Sequence, residues 1–155
     1  MSQVTGLGTL ADSGTRRRDA EYEFFNCVTT ITLGDAVCLD TTVRTYVADA
    51  DYGVKTSTTA TADNASVVGI AAESVTGTTT APAKVKVIRR GFAYKIKVGA
   101  GIVVTDPLVT GAVAGGLVKA AAGDIGGVKA VAWSATDTLI DGTTATGFVS
   151  GWVTC

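Results

Sequence analysis

"IKVGAGIVVTDPL", Ile96 to Leu108, is the stretch on which the reading of this chain turns. Apolar and polar residues alternate, a glycine loop interrupts them, and an apolar run resumes. A phosphate-binding loop sets its glycines before Lys-Ser/Thr at the start of a helix. Here the glycines carry no Lys and lead into β-branched residues, as a turn between strands does. The pattern also occurs earlier, as "ITLGDAVCLD" from Ile31. "DYGVKTS" follows the first copy and "GGLVKAA" the second, at nearly the same distance. "VVGIAAESV" from Val67 and "VKAVAWSAT" from Val128 come next. Three matches in one order predict an internal duplication. Ile31 pairs with Ile96 in this alignment, and the glycine loop serves only to turn the chain.

Alternation places strands over 27–33, 36–40, 42–48, 67–75, 84–98, 101–104, 117–121, 128–134 and 146–154. "KVKVIRRGFAYKIKV", from Lys84, changes phase partway. Val85 and Val87 share one face, whereas Phe92, Tyr94, Ile96 and Val98 share an even-numbered one. The slip falls between Ile88 and Gly91 and predicts a bulge or bend there. "KTSTTATADNAS" and "TGTTTAPA" read as polar loops. The fold expected is all-β, a barrel or sandwich with a pseudo-duplication. Residues 26–155 form the domain and residues 1–25 an N-terminal arm.

Composition agrees with this class. The 155 residues are 46% hydrophobic but only 6% aromatic, with 19 glycines, so the apolar content is largely Ala and Val. Charged residues make up 17%, against about 25% in an average soluble chain. So few charges predict a surface partly covered by partner subunits, or a compact monomer with a Thr-rich surface. The net charge of −1 gives no field towards nucleic acid or a membrane. No apolar run reaches the roughly 18 residues of a membrane span, and "MSQVTGLGTLADSG" lacks the features of a signal peptide. Cys27, Cys38 and Cys155 show no metal-ligand spacing and read as reduced thiols.

Catalytic chemistry has little to stand on. The chain has no histidine, which removes His-based triads and His metal sites. "DADYG", Asp49 to Gly53, has alternating Asp as calcium loops do but lacks the distant Glu, so it reads as a turn. Asp137 and Asp141, around "TLIDG", fit a hairpin turn closed by Asp-Gly. The chain is expected not to be an enzyme and to need no cofactor or metal.

Binding chemistry concentrates elsewhere. "TRRRDAEYEFF" holds Arg16, Arg17 and Arg18 close to Tyr22, Phe24 and Phe25. Arginine docks bidentately on carboxylate or phosphate, and aromatics anchor interfaces. These six residues are the candidate docking set, with a solvated end as the other reading. Trp133, Phe148 and Trp152 lie in the late strands as candidate core or subunit-interface residues.

The run "VVGIAAESVTG…KVKVIRRGFAYKIKVGAGIVVTDPLVTGAVAGGLVKAA…VKAVAWSAT…GFVSGWV" resembles tailed-bacteriophage capsid decoration (head cement) proteins of the small β-rich kind. The resemblance covers roughly residues 30–155. It implies a β-barrel or β-sandwich, usually a homotrimer, bound to the major capsid protein outside the shell at three-fold and quasi-three-fold junctions. It also implies residence on the virion exterior, reached from the host cytoplasm during assembly. A phage tail-tube subunit or another structural fibre subunit is the alternative.

Overall fold

The computed structural model describes residues 20–40, 53–56, 66–123 and 127–155. Among them the structure is all β, with no α-helix. The strands are β1 (Glu21–Cys27), β2 (Thr30–Ile31), β3 (Ala36–Leu39), β4 (Val54–Thr56), β5 (Val67–Ala71), β6 (Val75–Thr76), β7 (Ala83–Lys97), β8 (Pro107–Thr110), β9 (Leu117–Lys119), β10 (Ala130–Ala132) and β11 (Phe148–Thr154). A nine-stranded sheet runs β4-β3-β5-β7-β11-β10-β8-β9, with β1 added on β7. It curls into a nearly closed barrel.

The long strand β7 joins two copies of one unit. In the first repeat β4, β3 and β5 lead to the first half of β7, and β1 lies on β7. In the second repeat β9, β8 and β10 lead to β11, which lies on the second half of β7. The register repeats residue by residue. Ala36 faces Ile70, Ile70 faces Ile88, and Ile88 faces Tyr22. In the second repeat Pro107 faces Val131, Val131 faces Trp152, and Trp152 faces Phe92.

The turn before each row is also repeated. The Thr32 N–H donates to Asp35 Oδ2 at 2.8 Å, and the Val103 N–H to Asp106 Oδ2 at 2.9 Å. Gly34 donates to the Ala71 carbonyl at 2.9 Å, and Thr105 to that of Ala132 at 2.8 Å. Both third residues are left-handed, with φ +90° at Gly34 and +75° at Thr105. The duplication is therefore real, but the partner of Ile31 is Ile102, not Ile96. The paired hydrogen bonds fix the equivalence, and they fall at "VVTD" rather than at the glycines. The Gly99–Gly101 loop lies outside the repeat. The match of Val67 with Val128 holds in register.

The phase slip in β7 is a bulge. Glu21 faces Arg90 and Tyr22 faces Ile88, which leaves Arg89 as the extra residue. A second bulge lies where Val149 faces Ile96 and Gly151 faces Ala93, so Ser150 spans both Tyr94 and Lys95. Its hydroxyl donates to the Tyr94 carbonyl at 2.6 Å. This bulge separates the four residues expected on one face. Ile96 and Val98 are buried, whereas Phe92 and Tyr94 stay half-exposed.

Two apolar clusters result. The barrel interior gathers Ile70, Ile88, Ile96, Leu108, Leu117, Val149 and Val153. The other cluster packs Val37, Ala71, Val85 and Val87 under Phe25, Cys27, Ile31 and Val54. The strands of the first repeat thus have apolar cover on both faces.

Several expected elements differ. Residues 101–104 form no strand, and the strand starts at Pro107, where the missing N–H is tolerated. Strands β4 and β8, and β1 before Cys27, have no counterpart among the expected strands. The 27–33 strand reduces to the end of β1 and the short β2. Within the segment expected as an arm, Glu21 to Phe25 belong to the sheet, because β1 pairs along β7 from Ala83 to Arg90. The expected strand 42–48 and the "DADYG" aspartates Asp49 and Asp51 lie outside the described residues. The "TLIDG" turn closes a small hairpin in which Leu139 donates to the Thr143 carbonyl at 2.9 Å. No disulfide forms among the cysteines, and Cys27 and Cys38 are buried. Burial pushes the Cys155 thiol up to about 11.

Candidate docking surface

The outer face of β7, β11, β10 and β8 carries an apolar row. Strictly facing residues on neighbouring strands share a face, so Pro107, Val131, Trp152 and Phe92 line up across four strands. The Phe92 and Trp152 rings meet edge to face with centroids 6.5 Å apart. Trp133, next beyond Val131 on this face, is 56% exposed, and Trp152 is 48% exposed. Val104, in the turn whose Thr105 bonds to Ala132, is 50% exposed. The row contains no charged side chain. Barrel packing forces this arrangement, because Ala130 and Ala132 point inwards and alternation sends Val131 and Trp133 outwards.

The candidate residues separate on this structure. Arg16, Arg17 and Arg18 lie outside the described residues. Tyr22 and Phe24 are exposed on β1, with Phe24 at 60%. The Lys86 ammonium sits 4.2 Å from the centre of the Tyr22 ring. Phe25 leaves the docking set. It faces Val85 and is 3% exposed, so its ring belongs to the core. Trp133 and Trp152 are surface residues of the chain, which rejects the core reading for both. Phe148 is half-buried under Lys95, whose Nζ lies 4.1 Å from the ring centre. Sequence reasoning missed Phe92, Val131 and Val104. The pairing of their strands assembles the row, and alternation within a single strand carries no sign of it.

Polar contacts border this face. Tyr94 donates its hydroxyl to Asp141 Oδ2. That bond, with the Thr143 N–H, holds the Asp141 carboxyl below its ordinary range. The Lys119 ammonium, 2.8 Å from Asp106 Oδ1, and the Val103 N–H lower the Asp106 carboxyl likewise. Glu23 pairs with Arg89 at 2.5 Å, which ties β1 to the first bulge. A groove of about 150 Å³ lies on the first repeat, lined by Tyr22, Leu33, Ala72, Ile88, Phe92 and Tyr94, among others. Among the described residues no three His, Cys, Asp or Glu side chains gather as a metal site would need.

No family model matches the chain, and neither does any curated protein sequence. Among solved structures, the chain is similar to the head fiber gp8.5 N base of bacteriophage phi29. The TM-score is 0.56 at 13% identity, over 86% of this chain and 92% of that one. At this identity the likeness is one of fold, and it spans nearly the whole of both chains.

Proposed function

We propose that the chain is a structural virion protein that binds the outside of a phage head. It sits at three-fold and quasi-three-fold junctions, contacts the major capsid protein and stabilises the shell. The observation that carries this reading is the fold shared with a phage head-fibre base. The sequence resemblance to decoration proteins points the same way. A protein that binds only the assembled shell raises its stability by mass action. The working unit is a homotrimer, in keeping with the low charge of the chain. No catalytic step is assigned to it, and its place is the virion exterior.

The deciding experiment titrates the purified protein onto isolated heads that lack it. Saturable binding with a higher temperature of head rupture supports the proposal. Heads that neither bind the protein nor gain stability overturn it. The phi29 neighbour is a fibre base, which favours one second reading, a base that carries a fibre on the head. That reading predicts saturable binding with an unchanged rupture temperature.

A further inference from the structure

We propose that β1 of one copy docks on the aromatic face of the next copy, with Phe24 seated against Trp133 and Trp152. The contact that Phe92 and Tyr94 make with the groove of the first repeat is thereby repeated between chains. The inference rests on the proposed self-association and does not depend on head binding.

The argument starts from the groove on the first repeat. Leu33, Ala71, Ala72, Ile88 and Tyr22 line it, and Phe92 and Tyr94 close it with Lys95 beside them. Phe92 and Tyr94 belong to the half of β7 that opens the second repeat. Carried over by the repeated register, the lining residues become Val104, Trp133, Trp152 and Phe92. The closing residues carry over in the other direction. Phe92 corresponds to Tyr22, and two positions along the strand Tyr94 corresponds to Phe24.

Each side of this contact is open once in the chain. On the second repeat Trp133, Trp152 and Val104 are about half exposed. Phe24, on the strand of the first repeat that corresponds to Phe92 and Tyr94, is 60% exposed. All of them remain exposed within one chain, so a second copy is needed to join them.

Chemistry also favours a second copy as the occupant. The row has no charge, and self-interfaces are depleted of charge at their centre and enriched in Trp and Phe. An aromatic residue buries about 150–250 Å². Two tryptophans and a phenylalanine therefore form the centre of a patch, against the roughly 800 Å² per partner of a standard interface. The two sides differ, so the contact is heterologous and closes into a ring when the rotation allows. A trimer is one such ring.

The test uses the full chain with Phe24→Arg and Trp133→Arg, in sedimentation velocity and tryptophan emission. Each variant alone is expected to associate at least about tenfold more weakly than the wild type. Mixing the two restores one intact contact, Phe24 from the Trp133→Arg copy against the tryptophans of the Phe24→Arg copy. The mixture should stop at dimers, with blue-shifted emission. Wild-type assembly by either variant, or a mixture that stays monomeric, overturns the proposal, as does a monomeric wild type. Circular dichroism checks folding, and Phe24→Ala replaces a variant that fails to fold. Head binding is measured in parallel. Loss of head binding by Trp133→Arg with assembly intact would assign this face to the shell and also overturn the proposal.

Discussion

Ile88 and Trp152 hold the same position in the two repeats, yet Ile88 is 6% exposed and Trp152 48%. Each faces an apolar residue on the strand before it, Ile70 or Val131. The backbone is the same, and what differs is the cover. The outer row of the first repeat points into the barrel interior, which the second repeat completes. The bulge at Arg89 makes this possible, since it turns β7 so that Ile88 and Ala93 enter one cluster. Burial of such side chains is worth about 1.5–3 kcal/mol each. The duplicated unit therefore has two apolar faces, and a chain of two units leaves one of them exposed.

The repeats also divide volume differently at matched sites, and exchanging residues between them tests how deep the equivalence goes. Gly69 corresponds to Ala130, and Val87 to Gly151. A Cβ at Gly69 would lie 2.2 Å from the Ile88 carbonyl oxygen and 2.6 Å from Val87 Cγ1. Backbone cannot yield as a flexible side chain does. Gly69→Ala is expected to cost about 3 kcal/mol or more, although alanine is the native residue at the matching site. Urea denaturation measures it, and a loss below about 1 kcal/mol would mean that β5 and β7 can separate without cost.

Gly34→Thr gives the first turn the residue of the second. Its φ of +90° strains any β-branched residue, and a Cβ there would lie 3.1 Å from Phe148 Cε1 and 3.2 Å from the Lys95 carbonyl. About 2–3 kcal/mol of stability should be lost. Thr105 meets the strain without the crowding, so a loss matching the strain alone would show that Phe148 moves aside.

Asp106 supplies a test in acid. The Lys119 ammonium and the Val103 N–H hold its folded-state carboxyl below the ordinary value. The unfolded chain then binds the proton more readily than the folded one. The stabilisation is complete above the unfolded value, about pH 4, and disappears as pH falls through the lower folded value. Denaturation midpoints between about pH 2 and pH 6 should fall less steeply for Asp106→Asn than for the wild type. Parallel curves would assign the acid sensitivity to other carboxylates.

Much of this was legible in the sequence, and the remainder had physical causes. Order and spacing revealed the duplication, because each copy must rebuild the same strand and turn. The register differs from the expected one, because Ile31 corresponds to Ile102 and not to Ile96. Glycines looked like the turn, but the third position of this turn admits Thr105 at an energetic cost, so identity at that site is a poor guide. The slip in β7 was visible because Val87 and Ile88 break alternation. The slip at Tyr94 was not, because half-buried residues on both sides hide the phase. Phe24 belongs to the candidate docking set and is exposed on β1. Its neighbour Phe25 was not separated from it, since alternation alone does not say which of two adjacent aromatics faces the core.

The smallest expected effect has the opposite sign. Thr105→Gly gives the second turn the residue of the first. Thr105 is exposed with φ +75°, a conformation that costs a residue with a Cβ about 1–2 kcal/mol. Glycine removes this penalty but adds freedom to the unfolded chain, about 0.5–1 kcal/mol. The balance is a gain of about 0.5–1 kcal/mol, the difference of those two ranges. The gain should appear as a higher urea midpoint with an unchanged slope. Thr105→Ala separates the two causes, because alanine keeps the Cβ strain and removes only the branch. If Thr105→Ala stabilises as much as Thr105→Gly, the branch and not the left-handed backbone is what distinguishes the two turns. If both destabilise, Thr105 makes a contact that Gly34 does not need, and the turns are alike in path but not in what holds them.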